Sequence, residues 1–363
     1  MSASTGRPGP LRIAILGFGK VARALCDLLV AGHGRAANGV PLFEIVAVAS
    51  RSRGMCLADP AAGGLQPEDL LADNADASGA AWTTWPAGWD GTTFAREVSA
   101  DVLLELTTLD AATGQPAIEH IEAALRSGKH VVTANKGPIA WDYARLASLA
   151  EASGRRLLFE ATVMDGAPVF NLYRYCLRGC TVTGIRGILN STTNVILTAM
   201  EAGESYAQAL AGAQGLGIVE ADPALDVDGW DAAVKLCALA NVMMGAGMTP
   251  PAVARTGIRD VTRDAMSAAA QEGAAIRLIA EARYDDGGRV IATVAPRRVP
   301  RAGAFGQIAG TSSILTIQTD LLGALTITEQ DPQLSQTAYG VLADLLEIAA
   351  ESGRAVRLDR SEG

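Results

Sequence analysis

Residues 11–30 constrain the fold more than any other stretch. Leu11-Arg12-Ile13-Ala14-Ile15-Leu16 is a short aliphatic run of the kind buried in a sheet, and it stops at Gly17-Phe18-Gly19. From Lys20 onward, Val21, Leu25, Leu28 and Leu29 recur at helical spacing, so an amphipathic helix follows. A strand, a G-x-G turn and a helix in that order make the dinucleotide-binding turn. Gly17 permits the sharp reversal, and Gly19 lets a pyrophosphate reach backbone N–H groups at the helix start. Ala22 replaces the third glycine and still allows close packing of helix on strand. The same pieces also serve as a bare turn, which is the alternative reading. Gly17, Phe18, Gly19, Lys20 and Val21 are the candidate cofactor-binding residues here.

A second strand, Phe43 to Ala49, leads into Ser50-Arg51-Ser52-Arg53. A preference for NAD would place an acid near this end to hold the ribose. Two guanidiniums and two hydroxyls suit a 2′-phosphate instead, so Arg51 and Arg53 favour NADP(H), with NAD(H) second. Residues 54–99, with Trp82, Trp85 and Trp89, read as a helix plus an irregular connection without identifiable chemistry. A strand over 101–106 ends at Thr107-Thr108, a helix runs from about Pro116 to Ser127, and a strand from His130 to Thr133 runs into Ala134-Asn135-Lys136. Thr107, Thr108, Asn135 and Lys136 thus sit at the carboxyl edge of a parallel sheet, where ligands bind in such folds. Lys136 directly after a strand is an odd place for a solubility charge. The fold class is α/β, with a Rossmann-type doubly wound parallel sheet.

The other dense signal is Glu220-Ala-Asp-Pro-Ala-Leu-Asp-Val-Asp-Gly-Trp-Asp-Ala-Ala-Val-Lys235. Its acids precede an apolar run, Leu236 to Met244, whose only polar side chain is Asn241. Asp231 and Lys235 are four apart and share one helix face. Acids at the head of an apolar helix would floor a site for a cationic, polar substrate. An acidic first turn with a surface ion pair is the bland alternative. An EF-hand is excluded, because Ala224 and Lys235 would fall at ligand positions. Composition excludes further classes. The net charge of −9 argues against nucleic acid. No uninterrupted apolar stretch is long enough for a membrane span. The N-terminus has no hydrophobic signal core, which points to the cytoplasm. Cysteines 26, 56, 176, 180 and 237 and histidines 33, 120 and 130 are too scattered for a disulfide framework or a zinc site.

Four segments resemble the homoserine dehydrogenase family: G-F-G-K-V-A at 17–22, V-V-T-A-N-K-G-P at 131–138, G-I-L-N-S-T-T-N at 187–194, and the acidic stretch at 220–235. The resemblance implies reversible hydride transfer between NAD(P) and homoserine or aspartate semialdehyde. It implies a tail over 1–10, a dinucleotide-binding domain over 11–150, and an α+β catalytic and dimerisation domain over 151–334. The C-terminal helix, 335–363, would pack back on the first domain. A homodimer paired through strands of 155–190 and 289–328 follows, since a sheet covered by helices on one side must bury its other face. By the same resemblance Lys235 moves the substrate's hydroxyl proton, with Lys136 beside it. Glu220 and Asp226 take the amino group, Asp231 joins them, and Thr192 contacts the substrate. Two lysines brought together would each depress the other's pKa. Glu160 and the carbonyls of Val163, Asp165 and Ala167 would hold a monovalent cation.

The chain departs from the family pattern at 163–167, at Ser191, and at Thr328 to Gln336, where a glycine-rich loop is usual. Glu329, Asp331 and Asp165 thereby add carboxylates near the site. Only 27 residues follow Gln336, which leaves no room for an appended ligand-sensing domain. A related dehydrogenase of another small hydroxy acid or amino alcohol is the first alternative. A non-catalytic dinucleotide sensor is the second, and the two lysines argue against it.

Overall fold

The computed structural model describes residues 9–59, 63–72, 81–215 and 222–354. Its first sheet comprises β1 (Leu11–Leu16), β2 (Phe43–Ser50), β3 (Gly54–Leu57), β4 (Val102–Glu105), β5 (His130–Thr133) and β6 (Leu157–Leu158), in the order β3-β2-β1-β4-β5-β6. All neighbours are parallel except β3, which runs antiparallel to β2. The order reverses between β1 and β4, and ligands settle at that switch point in doubly wound sheets. Gly17 ends β1 at φ 100°, and a Cβ there would lie 2.4 Å from the Leu106 carbonyl oxygen, so only glycine fits.

Residues 54–99 depart from expectation. They contain strand β3 and two short helices, Pro67–Leu71 and Gly91–Glu97, and their tryptophans fold back toward the end of β2. The strand is four residues long at a sheet edge, too short for its periodicity to show.

The second sheet holds β7 (Val182–Ile188), β8 (Ala254–Arg255), β9 (Ala274–Tyr284), β10 (Val290–Pro300), β11 (Ser313–Thr319) and β12 (Gly323–Glu329), in the order β12-β11-β7-β9-β10-β8. Its neighbours are antiparallel apart from β8 on β10. Ile185, Leu278, Ala280, Val294, Leu315 and Ile317 form its inner face, against the Trp230–Met244 helix. That helix is apolar on nearly every side because it lies between this sheet and the Lys136–Ala152 helix of the first domain. Asn241 has a defined task there. Its amide group donates to the carbonyls of Ala140 (3.1 Å) and Met248 (2.9 Å), and its oxygen accepts from Met248 N–H (2.9 Å).

The outer face of this sheet corrects the reason given for pairing. It is polar, with Arg186 opposite both Thr316 and Glu281, and Thr316 opposite Thr326. One end is covered by Phe305 and Ile308, which bury Ile188, Ile279 and Ile314. The helix Leu334–Glu351 returns to the first domain, where Val341, Leu342, Leu345 and Ile348 share a core with Ile13, Ala22 and Leu25. Among the described residues no helix is long and apolar enough to cross a membrane.

Candidate active site

A cleft of roughly 680 Å³ opens at the switch point, a volume typical of small-molecule sites. Gly17, Phe18, Gly19, Arg51, Thr107 and Thr108 line it, and Lys20 and Val21 open the helix beside it. Arg53 is not among the lining residues, and its guanidinium lies 5.7 Å over the Trp82 ring, which itself sits 5.7 Å from Phe18. Arginine stacks well on indole, and this competes with a role in the cleft. Trp85, Trp89, Asp90 and His120 also line the cleft and were not legible in the sequence. Trp85 arrives by donating its indole N–H to the Ser50 carbonyl (3.2 Å), a contact 35 residues apart that no local spacing signals. Asp90 is the one acid among the lining residues, and it caps the Gly91–Glu97 helix by accepting from Thr93 N–H.

The second site forms where the domains meet. Gly229, at φ 78°, turns the chain into the Trp230–Met244 helix, which places Asp231 and Lys235 on one face. Asp231 holds Lys235 Nζ at 3.4 Å and Lys136 Nζ at 3.0 Å, so one carboxylate joins lysines from both domains. Lys235 also donates to the Leu189 carbonyl (2.8 Å). Lys136 begins its helix, with Asn135 as the cap accepting from Gly137 N–H (3.0 Å). Asn190, passed over in the sequence, donates to Asp226 (2.6 Å) and Asp231 (2.9 Å) while its oxygen caps the Ser191–Glu201 helix. Its place in the segment 187–194 was the available signal. Thr192 is buried, and its hydroxyl is one of the influences that work to lower the Asp226 pKa. Glu220 lies outside the described residues.

The electrostatics reverse one expectation. Burial works to lower the Lys235 pKa, but Asp231, Asp165 and Asp226 overcome it and hold the ammonium above its ordinary range. Lys235 is thus not depressed as expected, because Asp231, which it shares with Lys136, is the largest of the charges that raise it. Burial likewise opposes ionisation of Asp231, yet Lys136, Lys235 and Asn190 keep it well below the usual carboxylate range. Asp226 is pushed up by burial and by the neighbouring Asp231. One acid is thus committed to the lysines, and the second, Asp226, is held above its ordinary range beside it.

Of the departures, Asp165 adopts a left-handed φ of 44° and accepts from the Thr337 hydroxyl (2.6 Å). Thr328 and Glu329 belong to β12, and the rest of 328–336 leads into a helix capped reciprocally by Gln333 and Gln336. Burial and the adjacent Asp165 push the Glu329 carboxyl up to about 7. Two of the groups expected at a monovalent cation, Glu160 and the Ala167 carbonyl, accept backbone hydrogen bonds. Glu160 accepts from Phe170 (2.8 Å) and Asn171 (2.7 Å) N–H, and the Ala167 carbonyl accepts from Val169 N–H (2.8 Å).

A doubly wound sheet with a glycine-turn cleft and Lys136 at its edge, set against the acids and Lys235 of a second domain, defines an NAD(P)-dependent oxidoreductase acting on a CH–OH group. The family model for the homoserine dehydrogenase NAD-binding domain matches residues 17–160, and that for homoserine dehydrogenase matches 168–346. An NAD(+)-dependent homoserine dehydrogenase of Pseudomonas canavaninivorans is 34% identical over 94% of this chain and 97% of its own. A homoserine dehydrogenase of Methanocaldococcus jannaschii is 39% identical over 70% of this chain and 74% of its own. Among solved structures, a hyperthermophilic archaeal homoserine dehydrogenase in complex with NADPH has a TM-score of 0.77 at 28% identity, covering 96% of this chain and 100% of its own. The chain belongs to the homoserine dehydrogenase family. Its reaction is reversible hydride transfer between L-homoserine and L-aspartate semialdehyde with NAD(P).

Proposed function

We propose that Lys235 exchanges the proton of the substrate hydroxyl, with Lys136 and Asp231 fixing its position and Asp226 receiving the substrate ammonium. The observation that carries this reading is the single carboxylate of Asp231 holding lysines from two domains at 3.0 and 3.4 Å. Bound in the cleft, the nicotinamide supplies or accepts the hydride. In aldehyde reduction, the Lys235 ammonium gives its proton to the developing alkoxide. In homoserine oxidation, the free amine takes the hydroxyl proton as general base. The substrate ammonium entering beside Asp226 adds a positive charge near Lys235, which helps that amine lose its proton. Glu220 completes the ammonium site, and Thr192 orients the substrate through Asp226.

Gly17 and Gly19 admit the pyrophosphate, Thr107, Thr108 and Asn135 face the rest of the cofactor, and Arg51 selects NADP over NAD. The boundaries near 150 and 334 divide cofactor from substrate duties. The protein works as a homodimer in the cytoplasm. An outer sheet face bearing both Arg186 and Glu281 suits an isologous partner, and five free cysteines, three of them buried, suit a reducing compartment. Light scattering should return twice the 37.4 kDa of one chain, and a mass of one chain overturns the dimer.

Lys235→Ala tests the central role. Turnover should fall about 10²–10⁴-fold, the usual worth of a general acid or base, with cofactor affinity nearly unchanged. A near-native kcat removes Lys235 from the mechanism.

A further inference from the structure

Glu105 closes β4 and is wholly buried beneath the cofactor cleft. One oxygen of its carboxylate accepts from the Thr107 hydroxyl and from Thr107 N–H (3.3 Å), and His120 Nδ1 approaches it at 3.5 Å. The Thr133 hydroxyl shares its proton between the other carboxylate oxygen (3.0 Å) and the Glu105 main-chain carbonyl (2.9 Å). Thr133, also wholly buried, accepts in turn from Asn135 N–H (2.9 Å), and the Asn135 amide returns to the Thr107 carbonyl (3.3 Å). The result is a closed ring, Glu105–Thr133–Asn135–Thr107, that spans the carboxyl ends of two adjacent parallel strands. Thr107 and His120 line the cleft above it, whereas Glu105 and Thr133 do not.

A buried carboxylate is costly unless its lone pairs are filled, and networks of this kind rigidify what they connect. An aliphatic side chain of equal size would fill the same space without that desolvation. What the acid adds is direction: it fixes the Thr107 hydroxyl, and through Thr133 it fixes the loop that ends at Lys136.

We propose that Glu105 is a positioning residue for the nicotinamide cofactor, holding Thr107 and the Asn135 loop in the arrangement that binds it. It touches neither substrate nor cofactor and acts through Thr107 and Thr133. The inference rests on Thr107 being a cofactor-side residue.

The test compares Glu105→Leu, which keeps the volume and removes both acceptors, with Glu105→Gln, which keeps an acceptor for Thr107. Glu105→Leu should raise the KM for NADP(H) about tenfold, the equivalent of losing one net hydrogen bond, with the KM for homoserine within about twofold. Glu105→Gln should recover most of that loss. A purely space-filling role predicts that leucine serves as well as glutamine, and that result overturns the proposal. So does an equal rise in both KM values. Should Glu105→Leu fail to fold, Thr133→Val breaks the ring at a residue that cannot reach the cofactor. It should raise the cofactor KM selectively, and an unchanged KM overturns the proposal. Thr107→Ala separates the two readings. If it leaves cofactor affinity intact, the assignment of Thr107 falls; if it weakens binding while Glu105→Leu does not, only the role of Glu105 falls.

Discussion

At the scale of single residues, the site is governed by one carboxylate, Asp231, that holds two lysines, while Asp165 and Asp226 add negative charge near Lys235. Asp231 is the largest influence raising Lys235, followed by Asp165, so the resting enzyme carries an ammonium there. The sign of the pH dependence follows. Homoserine oxidation needs the free amine, so kcat/KM should climb with pH across the neutral and alkaline range, whereas aldehyde reduction, which needs the ammonium, should stay level with respect to Lys235 until pH passes the ordinary lysine range. Asp231→Asn removes the main raising charge and shifts the oxidation profile to lower pH, even if the maximal rate drops as Lys136 and Lys235 lose their shared anchor. A profile that stays in place, measured by initial rates at saturating cofactor, would detach Asp231 from the ionisation of Lys235. Arg53 is a charge whose sequence position suggested a phosphate and whose guanidinium also lies over an indole.

At the scale of elements, the departure at the end of β12 has a consequence for stability. Glu329 occupies the last residue of that strand, and its carboxyl is raised to about 7 by burial and by Asp165. A raised carboxyl leaves the folded protein at its most stable below the ordinary glutamate range, and stability declines as pH rises toward 7. Glu329→Gln should therefore raise Tm at pH 8 more than at pH 5, and an equal gain at both would show that folding does not raise the Glu329 carboxyl.

How much of this was legible follows the reach of each signal. The turn at Gly17 and the face shared by Asp231 and Lys235 depend on neighbours within one or two turns of chain, so spacing revealed them. Strand β3, the tryptophans lining the cleft and the polar outer sheet face depend on partners tens of residues away. Asn190 fell between these cases. Its motif was visible, but its grip on two acids required the fold.

At the scale of the whole molecule, the Trp230–Met244 helix is the hinge of the account. It buries one side against the second sheet and another against the Lys136–Ala152 helix, and its first turns carry Asp231 and Lys235 to Lys136. Asn241 ties the same two helices together below the site. The domain contact and the chemistry are therefore built from one element, and the site exists only when both domains are in place. The acids gathered there have one purpose in this reading, to hold an ammonium beside a hydroxyl that Lys235 can reach. The most direct test is the initial rate of NADP⁺ reduction with L-homoserine against the same hydroxy acid lacking its amino group. The account predicts turnover with homoserine and a kcat/KM lower by roughly 10²-fold for the analogue, the worth of a lost charged hydrogen-bond partner. Equal kcat/KM for the two, or turnover with neither while the cofactor still binds, would contradict it.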